Sequence, residues 1–421
     1  MGKKVIIITF LLGSLILVML LGHFIFNNKM NNFYEAKAFT DVQKSALTFV
    51  DGDRITRDKT NWINSALLKN TIDNPNNKIT EAEFLVLLFK VYNKKPSITD
   101  TSKHWAESYY TSALNLHYTT WPRNQRDEPI TIVHASELIA AIQGENLKNN
   151  QAVDSLYING ILDSNTVSQS DKLITRKQAI DLVGKVFESG FYLFQSIDTE
   201  EKNVLVSLGD SISLGWNLES KDRASNKGFP NLIQEYDEEY HVFNLAYKGM
   251  KTEELIERLK TTMYQTKISK ANNITLQVGS ANLLRGALSY LTEVKKNNNI
   301  LPTSKQKNGI EQEAKQVKKD FNEIINRIRE LTDKPIYFYG LYNPIPSDVL
   351  GSKYSDTIIK DVNLAIIEIS KKSDNVFYID CFKYFKDKEE LYVIEGDIHP
   401  TIKGQNLLAN LYLSKVKEVN K

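Results

Sequence analysis

Two residues of this 421-residue sequence, a serine and a histidine far apart in the chain, have the types and surroundings for nucleophilic chemistry with a general base. Ser211 lies in "VSLGDSISLGW", from Val206 to Trp216, where a run of β-formers gives way to Gly-Asp-Ser. A serine there has two readings. Gly209 could bend the chain so that Asp210 or Ser211 caps a following helix. Alternatively, Ser211 is a nucleophile at the carboxyl end of a buried strand, where α/β sheets place their ligands. The second reading needs a base. Of six histidines, His23 is in the N-terminal apolar run, and His104, His117 and His134 lie in a helical region. His241 opens a strand, away from the edge expected for Ser211, which leaves His399 in "EGDIHPTIKGQNLLANLYL". There a loop with acidic residues leads through Pro400 into the last helix, and a carboxylate could orient the imidazole as a general base. The competing reading is a helix-start histidine beside acids that suit the helix dipole.

Both residues fall in a region that alternates strand and helix. Strand candidates are "NVLVSL" from Asn203, "YHVFNLA" from Tyr240, "NITLQVG" from Asn273, "PIYFYGLY" from Pro335 and "NVFYIDC" from Asn375. The first, third and fifth are near-continuous apolar runs, as in a sheet covered on both faces. Between strands, Val317, Phe321, Ile324, Ile328 and Leu331 recur at steps of three and four, as on one helix face. Five strands alternating with helices predict an α/β fold, a three-layer α/β/α domain on a parallel sheet over 203–421. The polar stretch "KKNNNILPTSKQKNG", from Lys295, reads as a surface insertion near the top of the sheet.

Net charge is +2, with 25% charged and 42% apolar residues, so the chain is globular and has no nucleic-acid footprint. Cys381 is the only cysteine, which excludes an intrachain disulfide and a cysteine-based metal site. From Val5 to Phe26 the residues are almost all apolar, long enough to span a bilayer, and Lys3 and Lys4 precede them. Residues 1–30 therefore read as a transmembrane anchor with the bulk of the chain outside the cytoplasm. A cleaved signal peptide is the alternative, although "AKA" at Ala36 to Ala38 lies well past the apolar run.

Residues 39–187 read as a mostly α-helical module of three repeats, joined to the α/β region by a polar linker at 188–202. "NKITEAEFLVLLFKVY" from Asn77, "EPITIVHASELIAAI" from Glu128 and "KLITRKQAIDLVGKVF" from Lys172 share an Ile-Thr followed by an amphipathic face. The Thr is placed to cap each helix. Together with "ITDTSKHWAESYY" and "YINGIL", this pattern resembles the S-layer homology domain. The resemblance implies a cell-wall polysaccharide as partner, held by an arginine of the Ile-Thr-Arg motif. The third repeat has it as Arg176, whereas Glu81 and Ile132 occupy the other two positions and cannot make a bidentate contact to a carboxylate.

The α/β region resembles the SGNH (GDSL) hydrolase family. "SLGDSISLG" resembles its first block, with Ser211 as nucleophile; "NLAYKGMKT" its second, with Gly249 lending a backbone N–H to the oxyanion hole. "YGLYNP", from Tyr339, is similar to a stretch in its lipase and acylhydrolase branch, and "DIHPT" to its last block, with His399 as base. The third block departs from the family's Gly-x-Asn-Asp. Here it is "VGSANLL", with Asn282 one residue late after Gly279 and implied as a side-chain oxyanion donor beside the N–H of Ser211. The triad acid should stand three residues before the histidine, where the chain has Gly396. Asp397 is favoured, Glu395 is the alternative acid, and a backbone carbonyl is a third possibility.

The resemblance implies acyl transfer through a covalent ester on Ser211, with no metal or organic cofactor. Beside a wall-binding module, an anchored enzyme of this kind is expected to be an esterase acting on O-acyl groups of wall polysaccharide, acetyl above all. The alternatives are an O-acetyltransferase fed by a membrane-embedded acyl donor protein, and a non-catalytic wall-binding protein.

Overall fold

The computed structural model describes residues 75–91, 104–115, 126–143, 145–188, 203–294, 296 and 301–420. The expected anchor and nearly all of the expected linker lie outside the described residues. Among the described residues no helix is long and apolar enough to cross a membrane. The chain divides into two compact units. One contains the described parts of 1–116 and 121–129, with 175–180; the other contains 130–174 and the described parts of 181–421.

The first unit contains helices α1 (Glu81–Val91) and α2 (Glu107–Asn115), in the region expected to form repeats. Thr80 and Thr175 each open a capping box: Thr80 Oγ1 accepts from Glu83 N at 3.3 Å and Thr175 Oγ1 from Gln178 N at 3.2 Å, and each partner's side chain reaches back. In the second unit the same region contributes α3 (Ile132–Ile142), α4 (Asn150–Ile158) and α5 (Ser164–Ser168). Thr131 caps α3 by accepting from His134 N. Helix α6 (Arg176–Glu188) follows.

The α/β part runs β1 (Asn203–Gly209), α7 (Phe229–Tyr236), β2 (Tyr240–Asn244), α8 (Thr252–Arg258), α9 (Thr262–Ser269), β3 (Asn273–Gln277), α10 (Ser280–Val294) and α11 (Ser304–Arg329). Then come β4 (Ile336–Tyr339), α12 (Ser352–Lys372), β5 (Val376–Ile379), the short α13 (Cys381–Phe385) and α14 (Glu389–Tyr392), and α15 (Ile402–Val419). All five strands pair in parallel in the order β2-β1-β3-β4-β5. The parallel α/β fold expected from the alternation is the one observed, and β1 is an interior strand, buried from Val204 to Gly209.

Side chains alternate across the sheet. Tyr337 and Tyr339 face α7 and α15, where the ring of Tyr337 lies 4.9 Å from Tyr412 and that of Tyr339 lies 4.7 Å from Phe229. Phe338, between them, meets Phe321 of α11 at 4.8 Å on the other face. The stretch after Lys295 is not wholly a surface insertion. Thr303 and Gln306 form a capping box, so Ser304–Gly309 are the first turns of the 26-residue α11.

Candidate active site

Strand β1 is buried and ends at Gly209, and the sheet order turns about it, β2 to one side and β3 to the other. Such a switch point leaves a crevice at the carboxyl ends of the strands. Ser211 stands there, two residues past the strand. No helix begins at Ser211; the chain makes irregular turns until Phe229, so Asp210 caps a turn, accepting from Ile212 N at 2.9 Å. Asp210 is fully buried, and burial pushes its carboxyl up to about 6, against the donated Ile212 N–H and the nearby His399.

Ser211 Oγ lies 2.9 Å from His399 Nε2, and His399 Nδ1 lies 2.8 Å from Asp397 Oδ1. Serine, imidazole and carboxylate thus form one hydrogen-bonded chain. The loop that presents the last two is tightly made. Ile394 N donates to His399 O, Asp397 N donates to Ile394 O, and Val393 bridges Pro400. The inner turn needs a left-handed residue, and Gly396 supplies it with φ +70°. Gly396 is therefore the turn residue, and the carboxylate is carried one position later, by Asp397. Glu395 is exposed in the same turn and makes no hydrogen bond to His399.

Burial opposes the charge of Asp397, but hydrogen bonds outweigh it. His399, the Asn217 amide at 2.6 Å and the Ile398 N–H at 2.6 Å hold the carboxyl well below the usual range. Three residues that the sequence reading passed over fix this arrangement. Asn217 donates to the outer oxygen of Asp397. Tyr342 donates its hydroxyl to Ile398 O at 2.6 Å. Gln405 of α15 donates to Ile212 O at 2.9 Å and accepts from Phe229 N, tying the histidine's helix to the serine's loop.

The loop after β2 is held to the serine's strand by Tyr247 N, which donates to Gly209 O at 3.0 Å. Tyr247 to Met250 then form a turn in which Gly249 has φ +70°. Among the described residues neither the Ser211 N–H nor the Gly249 N–H donates a hydrogen bond within the protein. Asn282 is different. It is fully buried in the first turn of α10; its Oδ1 accepts from Thr252 N at 2.9 Å and its Nδ2 donates to Glu253 Oε2 at 2.9 Å. The amide closes the start of α8, which corrects its expected role as an oxyanion donor. Ala281 occupies the second position after Gly279, with no polar side chain to offer.

Arg176 does not meet the expectation of a glycan contact either. It is 1% exposed and pairs with Glu83 at 2.6 Å, both side chains enclosed in the first unit. A bound polysaccharide cannot reach a guanidinium placed there.

Beside the serine, Ile212, Leu284, Ala287, Leu341, Ile358 and Ile398 line part of an apolar cavity that is open to solvent. Its walls come from α10, α11, α12 and the loop after β4, and it begins at the residues next to Ser211 and His399.

Residues 207–407 match the GDSL-like lipase/acylhydrolase family. The uncharacterized protein YpmR of Bacillus subtilis (strain 168) is 24% identical over 229 residues, 52% of this chain and 84% of YpmR. Among solved structures, the lipase Lip_vut3 from a goat rumen metagenome is 22% identical, with a TM-score of 0.40 over 50% of this chain and 96% of that one. A lipase/acylhydrolase from Enterococcus faecalis is 17% identical, with a TM-score of 0.37 over 51% and 96%. The chain thus carries a GDSL/SGNH lipase-acylhydrolase domain, and the protein is an enzyme, a hydrolase or acyltransferase of that class.

Proposed function

We propose that the protein cleaves carboxylic esters through an acyl-Ser211 intermediate and takes the acyl chain into the apolar cavity. The observation that carries this reading is the hydrogen-bonded chain Ser211–His399–Asp397 beginning at the mouth of that cavity. His399 Nε2 takes the Ser211 proton as Oγ attacks the ester carbonyl, while Asp397 holds the imidazole and balances its positive charge. The N–H groups of Ser211 and Gly249 receive the oxyanion. Collapse of the tetrahedral species breaks the bond to the alcohol, which leaves with the proton from His399. Water, deprotonated by the same nitrogen, then attacks the acyl carbonyl and releases the acid and Ser211.

The apolar walls favour an acyl group longer than the acetyl suggested by the repeat module. Each methylene moved from water into such walls contributes about 0.8 kcal/mol, about fourfold in kcat/KM until the space is filled. The test is a series of p-nitrophenyl esters from acetate to decanoate. A rise in kcat/KM from acetate to a medium chain, abolished throughout by Ser211→Ala, supports the reading. Turnover that survives Ser211→Ala removes the mechanism, and a series that falls from acetate onward removes the role of the cavity. Adding alcohols or oligosaccharides as acceptors distinguishes hydrolysis from acyl transfer.

A further inference from the structure

Helix α4, from the repeat region, packs in the same compact unit as the α/β part. Gln151, Asp154 and Ile158 lie at steps of three and four, hence on one face of α4. Each contacts a loop that carries part of the site. The Gln151 carboxamide accepts from the Tyr247 hydroxyl at 2.7 Å, at the head of the turn containing Gly249. Ile158 clusters with Leu214, Trp216 and Ala224 of the loop after Ser211. Asp154 is 2% exposed; its Oδ1 accepts from Arg223 Nε at 2.8 Å and its Oδ2 from Ala224 N at 3.2 Å.

The route from Asp154 continues to the triad. Arg223 O accepts from Asn217 N at 3.1 Å, and Asn217 Oδ1 accepts from Asp222 N at 2.7 Å. The loop is thereby closed with Asn217 in the left-handed region, φ +61°, a conformation that suits asparagine. Its remaining amide donors face Asp397, to whose Oδ2 Nδ2 donates at 2.6 Å. A buried carboxylate of the helical region thus fixes the loop whose amide fixes the triad carboxylate.

We propose that α4 is a built-in positioning element of the active site, with Asp154 acting through Arg223 and Asn217 on Asp397. The helical region from 130 to 174 is then part of the catalytic unit rather than a separable appendage. The inference rests on the ester reading for its kinetic test and on hydrogen exchange for a test independent of it.

The experiment uses the full-length protein with a p-nitrophenyl ester, comparing Asp154→Ala, Asn217→Ala, their double variant and Ser211→Ala. Asp154→Ala and Asn217→Ala should each lower kcat at least about tenfold with KM within about twofold, and the double variant should lose no more than the worse single one, since both act by one route. In Asp154→Ala, hydrogen exchange should rise in 214–228 and also in 393–401, while α11 keeps its protection. Wild-type kcat in Asp154→Ala, losses that multiply in the double variant, or unchanged exchange in 393–401 would overturn the proposal. If Ser211→Ala keeps ester turnover, or the parent protein has none, the ester reading falls and exchange in 393–401 alone decides the coupling.

Discussion

Asn282 Nδ2 donates to Glu253 Oε2 at 2.9 Å, and that bond takes the amide away from the catalytic serine. Replacing Asn282 by Ala should therefore lower stability, not catalysis. It leaves the Thr252 N–H without its acceptor and removes the amide donor from Glu253 Oε2, a loss of about 1–3 kcal/mol. The folded variant should keep kcat within a few-fold, whereas loss of an oxyanion donor costs about 10²–10³. Thermal unfolding and ester kinetics on one preparation separate the two.

Asp397 and Glu395 differ in one respect only that matters to the imidazole: the first touches it. Asp397→Asn should lower kcat by about 10⁴, the scale seen when a triad histidine loses its carboxylate. Glu395→Gln should leave kcat within about twofold. Equal losses in the two variants would mean that the acid has been misassigned.

Asp210 gives a pH-dependent stability with a definite sign. Its folded-state pKa, about 6, lies above the ordinary 3.8, so the folded chain holds this proton more tightly. The contribution is fully present below about pH 4 and is lost as pH rises through 6. Asp210→Asn keeps the acceptor for Ile212 N and should abolish the decline, gaining up to about 3 kcal/mol over the parent at pH 7 and little at pH 4. Urea unfolding at four pH values across this window tests it.

Arg176 and Glu83 make the corresponding case in the first unit. Arg176→Ala strands a buried carboxylate and should destabilise the first unit by roughly 3–5 kcal/mol. Any binding to wall polysaccharide, measured by sedimentation with sacculi, should change only to the extent that the unit unfolds. A variant of native stability that no longer sediments would restore the arginine as a glycan contact.

The five strands were legible as short runs of β-formers alternating with helical stretches, three of them the near-continuous apolar runs of strands covered on both faces. The Ser211 and His399 assignments followed from elimination and motif order. What stayed hidden depended on where side chains point. Asn282 and Arg176 have side chains suited to binding, and only burial shows that each is spent within the fold. Asp397 was reachable in outline, but its advantage over Glu395 comes from the left-handed turn at Gly396. Asn217, Tyr342 and Gln405 sit in polar, turn-rich or helical stretches with no pattern to mark them. The start of α11 was readable, since Thr303 and Gln306 have capping-box spacing, yet the polar composition around them masked it.

Ser211 and His399 are 188 residues apart, and the bond between them is closed by a residue that follows the serine late in the order of synthesis. During synthesis the nucleophile emerges first and remains without a base until the 393–401 turn and the Gln405 clasp have followed. The growing polypeptide is therefore chemically silent until residues through Gln405 have been made. A chain that stalls before His399 leaves a fragment with a serine no more reactive than any other.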